Sequence, residues 1–353
     1  MTEDQDKGQL IFVSRALRAD LMLLLCALFW GGTFVAIELA VKQMPPYLLV
    51  ALRFLGAAAV FLPFYIVLKV LESRQSRTGG AGSRSWWKGM LAGLFLGLIS
   101  FAGYGLQTQG LVYTTPARSA FITQLLVLFT FPMQIFFLRR KVIASAYAGL
   151  TLVLLGAYFL LGSPAGGAWN TGDWLTIGCA FSFALLIVML DVLARRFSVA
   201  DLTFYQILGT GLMAALASRL GLDNAYLSAS PNTASLLSEG NGGDFLQSLM
   251  QMHWQSQLLL SLLYLAIPAT IGTVLIQVRF QKETSPARAS LLYAMEPVFA
   301  GIFAFLILGQ FLGWAESLGA LLIVLGVIVS EAFSTKKQND QKAANQFKSA
   351  QKR

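Results

Sequence analysis

The chain has 353 residues, of which 56% are hydrophobic and 12% charged. A soluble globular chain carries about 25% charged residues. Here Arg118 is the only charge between Lys88 and Arg139, so whole helix faces offer nothing to water. A soluble domain and a disordered chain are both excluded, which leaves a polytopic membrane protein.

Ten apolar stretches in chain order read as spanning helices. They lie near 21–42, 46–69, 88–107, 117–138, 142–161, 174–193, 200–219, 257–278, 288–308 and 314–332. Residues 1–19 form a polar tail before the first stretch. That stretch begins at Leu21 and is long enough to span, so no cleavable signal peptide is expected. Residues 72–85 (ESRQSRTGGAGSRS) and 334–353 read as flexible basic segments. The connection 220–256 is much longer than the others. Within it Phe245, Leu246, Leu249, Met250 and His253 share a helical face with Trp254 beside it. An interfacial helix and a tolerated loop insertion both fit this pattern. Cys26 and Cys179 fall inside apolar stretches, so no disulfide is implied.

Cations orient the spans. With the N-terminus inside, the inner connections and tails hold 22 Lys and Arg and the outer ones hold 3, Lys42, Arg118 and Arg219. Arg53 remains within a helix. The net charge of +9 thus follows the membrane rather than nucleic acid, and both termini are expected in the cytoplasm.

The two halves repeat. At an offset of 153, Asp20, Cys26, Ala27 and Glu38 fall on Asp173, Cys179, Ala180 and Asp191. At an offset of 170, TTPAR (114–118) falls on TSPAR (284–288), Gln107 on Gln277, and Gly149 and Gly156 on Gly319 and Gly326. Five helices per copy inverts one copy relative to the other. The expected fold is an all-α integral membrane protein with ten transmembrane helices in two inverted five-helix repeats, 20–161 and 162–333. Such repeats are the signature of alternating-access transporters, with the substrate site at the midplane.

The stretch WGGTFVAIELAVKQMPPYLLVALRF (30–54) resembles the opening of an EamA domain of the drug/metabolite transporter superfamily. SPARASLLYAMEPVFAGIFAFLILGQ (285–310) resembles its second copy, with a Glu-Pro pair on helix nine. The resemblance covers about residues 20–333. It implies ten helices in two inverted copies and efflux of amino acids, metabolites or drugs. The chain departs from the pattern at Leu126-Val127, where a Glu-Pro pair would sit. It departs again at Arg139-Arg140 and Gly309-Gln310, where the family has Gly-Glu. Those acidic positions are therefore not carried over.

Few polar groups lie within the spans, and these are the candidate site. Glu296 sits about ten residues into helix nine, roughly 15 Å from its inner end. A carboxylate there needs a partner, a proton or a wet cavity, and Pro297 beside it frees a backbone carbonyl. A substrate ammonium, a coupling proton and a structural carboxyl are the readings for Glu296. Arg53 on helix two lies at the depth of Glu38 on helix one, which suggests an ion pair; binding a substrate carboxylate is the alternative. Gly31 and Gly32 next to Trp30 permit a helix break or close approach, and Trp30 suits a cavity wall. Tyr104, Gln107, Gln124 and Tyr293 offer hydrogen bonds to a substrate or between helices. Gly89, Gly93 and Gly97 form a close-packing face.

The only histidine, His253, lies outside the spans, and no His/Cys/carboxylate cluster suggests a metal or haem. No Walker motif suggests an ATP-hydrolysing subunit. No cofactor is expected. The expected partners are a small-molecule substrate and the bilayer, with protons as a coupling ion. The function expected is an alternating-access secondary transporter in the cytoplasmic (inner) membrane, exporting small organic metabolites such as amino acids. Efflux of organic cations or drugs is the alternative; a channel or a membrane-embedded enzyme fits less well. Arg53 alone at depth disfavours phosphorylated substrates.

Overall fold

A computed structural model describes residues 3–41, 44–79, 86–110, 113–114, 116–160, 169–223, 256–309 and 313–330. Ten helices form among these residues. They are α1 (Glu3–Val41), α2 (Pro46–Gly79), α3 (Trp86–Gly110), α4 (Pro116–Thr123 and Leu126–Leu138) and α5 (Ala144–Leu160). Then come α6 (Thr171–Leu193), α7 (Val199–Arg219), α8 (Ser256–Ala266, Ile267–Gly272 and Thr273–Phe280) and α9 (Pro286–Tyr293 and Glu296–Leu308), and finally α10 (Trp314–Ser330). Six of them, α2, α3, α4, α6, α7 and α8, are long and apolar enough to cross a membrane, and α5 and α10 are shorter apolar helices. The expected interfacial helix at 245–254 and the tail after Ser334 lie outside the described residues.

Local chemistry sets several helix starts. Pro46, Pro116 and Pro286 open α2, α4 and α9, where a missing N–H costs nothing. Ser285 caps α9 by accepting from the Arg288 N–H at 3.3 Å. At α6, Asn170 and Asp173 form a reciprocal capping box at 3.0 and 2.9 Å. Two helices run longer than their apolar stretches. α1 begins at Glu3 and α2 continues to Gly79, because hydropathy marks where the bilayer ends and not where helical hydrogen bonding does.

Contact order gives the directions. Along α1 and α9, Asp20 meets Arg288, Trp30 meets Tyr293 and Gly31 meets Phe299. Those numbers rise together, so these helices are parallel. The same holds for α3 and α7, where Gly89, Gly93 and Gly97 face Asp201, Tyr205 and Gly209. It holds again for α4 and α6, through Ser119 with Thr176 and Phe129 with Phe181. Along α5 and α10 the order reverses. Gly149 abuts Gly326 and Gly156 abuts Gly319, so these two are antiparallel.

Three helices break within their length. α4 opens at Gln124-Leu125 and α9 at Ala294-Met295, each bridged by short i→i+3 bonds such as Leu125 N–H to Ile122 O and Met295 N–H to Leu292 O. These breaks are 170 residues apart, although only α9 has a proline beside its break. In α8 the ladder widens to a π turn over Ile267–Gly272. Pro268 removes one donor there, and threonine hydroxyls serve the loosened carbonyls: Thr270 donates to Leu265 O and Thr273 to Ala269 O, at 2.8 and 2.9 Å. α1, by contrast, passes unbroken through Gly31 and Gly32, so the break expected at those glycines does not occur. They serve close approach instead. A Cβ on Gly31 would lie 2.8 Å from the Ala300 nitrogen of α9, and one on Gly32 would collide with the Tyr264 hydroxyl of α8.

The buried interior forms two main apolar clusters. One gathers α1, α4, α5, α6, the first half of α9 and α10. The other gathers α2, α3, α6, α7 and α8. Phe64, Phe136, Leu306 and Trp314 are exposed. Large apolar side chains on an outer face are what lipid contact selects. Beyond the end of α7, buried Asp223 accepts the Tyr47 N–H at 2.9 Å and the Ser218 hydroxyl at 2.8 Å, clamping α7 to the start of α2.

Candidate functional site

The site grows from Arg53. Seven residues into α2, its side chain is only 4% exposed, so its charge must be met inside the protein. Its Nε donates to Thr270 Oγ1 at 2.8 Å and its Nη2 to Ala269 O at 2.9 Å. Both acceptors lie in the π turn of α8, where the widened ladder presents oxygens to a neighbour. The guanidinium also sits 5.2 Å from the ring centres of Phe54 and of Tyr104. The Glu38 side chain, the expected ion-pair partner, lies outside the described residues. The described hydrogen-bond partners of Arg53 are on α8, with the Tyr104 hydroxyl of α3 a further one.

Glu296 follows the break in α9 and is half-buried. Arg53 is its electrostatic neighbour. Among the described residues no hydrogen bond reaches its carboxylate within the protein. Tyr104 and Cys179 also lie within electrostatic range of it. A half-buried carboxylate among helices that accepts no hydrogen bond among the described residues has capacity left for one.

Aromatic contacts lie at Arg53 and at the α9 break. Trp30 meets Tyr293 edge-on at 5.1 Å. Tyr104 meets Phe54 and Phe183, each at 5.1 Å. Trp30 is tied to the Glu296 backbone through Gly31, whose Cβ position lies 3.0 Å from the Glu296 carbonyl. The Trp30 indole N–H is buried with no partner among the described residues.

The amide candidates divide. Gln107 of α3 donates to Thr123 Oγ1 of α4 at 3.3 Å, just before the α4 break, and the Cys179 thiol faces Thr123 as well. Gln124 is buried at that break. Tyr293 donates to Gln281 Oε1 at 3.1 Å, and Gln281 donates to Ile187 O of α6 at 2.6 Å. Tyr293 is thus bound into a helix-to-helix network by its hydroxyl and touches the site by its ring. Arg53, Glu296, Trp30, Tyr104 and Tyr293 come together, with Gln107 and Gln124 at the neighbouring break.

Sequence reasoning missed the α8 contribution. Thr270 and Ala269 hold Arg53, and Tyr264 ties α8 to α1 by donating to Phe29 O at 2.8 Å. A signal existed in Pro268, with Thr270 and Gly272 close behind it in an apolar span. Gln134 was also missed. It accepts from the Ala287 N–H at 2.9 Å and locks the start of α9 onto α4.

Comparison with known proteins completes the site's setting. The EamA-like transporter family matches twice, over residues 17–162 and 170–331. An "Uncharacterized transporter" of Archaeoglobus fulgidus is 28% identical over 316 residues, 89% of this chain and 86% of its own length. A "Probable amino-acid metabolite efflux pump" of Salmonella typhimurium is 26% identical over 310 residues, 87% of this chain and 92% of its own. A protein of Escherichia coli with the same description is 26% identical over 311 residues, at the same coverage. A crystal structure with 21% identity aligns at a TM-score of 0.65, covering 90% of this chain and 98% of that one, which is a likeness of fold. Helices apolar enough to span a membrane, a polar cluster among them and two family matches covering nearly the whole chain agree: the protein belongs to the EamA-like transporter family and is a membrane transporter, not an enzyme.

Proposed function

We propose that the chain is an alternating-access secondary transporter of the cytoplasmic membrane that exports small amino-bearing metabolites, amino acids among them. The observation that carries this is Glu296, a half-buried residue whose carboxylate accepts no hydrogen bond among the described residues, set beside Arg53 and Tyr104 and placed at a helix break. The relatives described as amino-acid metabolite efflux pumps support the same substrate class. The charge pair matches the two ends of an amino acid, and the rings match its side chain.

The proposed architecture is two inverted five-helix repeats with both termini inside. Reciprocal contacts support it. The offset of 170 equates Gly149 with Gly319 and Gly156 with Gly326, and the observed pairs are Gly149 with Gly326 and Gly156 with Gly319. A two-fold relation between halves produces this exchange. The broken helices α4 and α9, and their ends at Arg139 (φ 51°) and Gly309 (φ 65°), obey the same offset. The 22-to-3 split of cations supports the orientation.

The test is export from proteoliposomes loaded with a labelled amino-acid panel. Glu296→Gln abolishes transport and leaves the yield of folded protein near wild type; unchanged transport would remove the site. Coupling to protons rests on Glu296 alone. Transport that ignores an imposed pH gradient would remove that part. Efflux of organic cations is the second reading, favoured by the Trp30–Tyr293 contact at the α9 break and the Tyr104–Phe183 contact near Arg53. A panel in which amphipathic cations move and amino acids do not would select it.

A further inference from the structure

We propose that the groove between the cytoplasmic end of α2 and the start of α3 is a binding site for an anionic phospholipid of the inner leaflet. The groove has a volume of about 510 Å³ and is lined by Tyr65, Ile66, Lys69, Val70, Ser73, Arg74 and Trp86. It lies far from Glu296 and Arg53 and takes no part in the site above. Its assignment to the inner leaflet rests on the orientation proposed there.

Three features point to a lipid. First, the α2 residues form one stripe with a graded character. Nearest the bilayer centre are Tyr65 and Ile66; Lys69 and Val70 follow; Ser73 and Arg74 stand at the aqueous end. From Tyr65 to Arg74 is about 13.5 Å of helix, the direction and scale over which a phospholipid passes from acyl chain to phosphate. Exposed Phe64, Val67 and Leu71 continue the apolar surface on the same helix.

Second, the aqueous end offers donors suited to a phosphate diester. Arg74 carries a planar fork of N–H groups, and Ser73 adds a hydroxyl. Both are exposed. Lys69 is held at the groove's waist by Asp201 at 3.1 Å and Glu72 at 3.0 Å. Its single charge is more than met by those two carboxylates, so Arg74 is the cation left to meet the lipid. Lys88, exposed in the first turn of α3, adds to the local positive potential.

Third, the opposite wall is Trp86, 60% exposed, with Trp87 beside it 48% exposed and Lys88 above the Trp87 ring at 5.5 Å. Indole at a helix end beside cations is the composition of a membrane–water interface. The floor is rigid: Tyr65 stacks on Phe204 at 4.4 Å and donates to Asp201 at 3.0 Å. A bound lipid would therefore rest where α2 and α7 are already tied together.

The full chain, purified in a neutral detergent, tests this by lipid retention in native mass spectrometry and by thermal unfolding. Phosphatidylglycerol, phosphatidylcholine and inorganic phosphate are the probes. Phosphatidylglycerol is retained about fivefold more than phosphatidylcholine, the ratio one interfacial cation supplies, and raises the unfolding temperature more. Arg74→Ala with Ser73→Ala loses that preference while unfolding at the wild-type temperature without lipid, because both side chains are exposed. Arg219→Ala, at the other end of the membrane, keeps it. Equal retention of the two lipids would overturn the proposal. So would a full preference in the double variant, or an equal shift from inorganic phosphate, which would assign the groove to a soluble anion. A chain that keeps the preference but moves no substrate leaves this site standing and removes the transport reading.

Discussion

Replacing Gly156 by Ala probes the α5–α10 contact on which the two-fold relation rests. A Cβ at Gly156 would lie 2.6 Å from Gly319 O, 2.7 Å from Ile323 N and 2.8 Å from Ile323 Cγ1. Ordinary contact begins near 3.4 Å, so the nearest atom is short by about 0.8 Å. Two of the three atoms are backbone, and neither can move without its helix. Relief requires α10 to shift away from α5, which also loosens Gly149 against Gly326. Overpacking of this kind costs about 1–3 kcal/mol, and the better helix propensity of Ala returns about 0.5–1 kcal/mol. The net is a loss of about 1–2 kcal/mol, or a few degrees in unfolding temperature at about 2–4 °C per kcal/mol. Gly56 of α2 is the control. Nothing lies within 4 Å of its Cβ position, so Gly56→Ala keeps only the propensity term and stabilises. Thermal unfolding of the three proteins in one detergent separates them. Gly319→Ala should resemble Gly156→Ala, and the double variant should cost less than their sum, since one displacement relieves both. Gly156→Ala unfolding at or above the wild-type temperature would refute the reasoning.

Arg139→Gly should stabilise by roughly 1 kcal/mol, because Arg139 ends α4 at φ 51°, a conformation that glycine adopts without a Cβ penalty; chemical denaturation checks it, and a loss of stability would show that the Arg139 side chain does more. Gly32→Ala should cost more than Tyr264→Phe, and the two combined should cost less than their sum by at least ~0.5 kcal/mol, because both act on the Tyr264 hydroxyl that donates to Phe29 O; strict additivity in a double-mutant cycle would deny the contact. Burial holds the Asp223 carboxyl above its ordinary range, with bonds from the Tyr47 N–H and Ser218 pulling it partly back. A raised folded-state pKa favours the protonated form, so its contribution is full below the unfolded value near 4 and is lost as pH rises through the folded one. Asp223→Asn should flatten stability against pH between those values, and an unchanged slope in pH-dependent unfolding would count against it.

Much of the fold is legible in the chain because a bilayer enforces one rule. Backbone groups must be satisfied within each segment, so apolar stretches of about 20 residues read directly as helices. The α4 and α9 boundaries come within a residue or two of the apolar pattern. The expected breaks divide: α9 opens beside Pro297. Gly31 and Gly32 suggest weakness, yet α1 runs through them, because a helix packed on both sides by Phe299 and Tyr264 cannot bend away. α4 breaks at Gln124-Leu125 with no proline there.

The site divides in the same way. Glu296 and Arg53 stand out in sequence because a charge is rare and costly in a span. Their rarity identifies the groups, while their use depends on what packs around them. Arg53 is committed to the π turn of α8, 217 and 216 residues away in sequence, and only packing brings Thr270 and Ala269 to it. The Tyr293 hydroxyl, three residues from Glu296 in the chain, is given instead to Gln281. The chain by itself determined that this is a helical membrane protein, where its apolar helices lie and which few charges lie inside them, because hydropathy is a local property. Which of those charges is bonded into the frame was decided by tertiary structure, because hydrogen-bond satisfaction in a buried site depends on groups hundreds of residues apart.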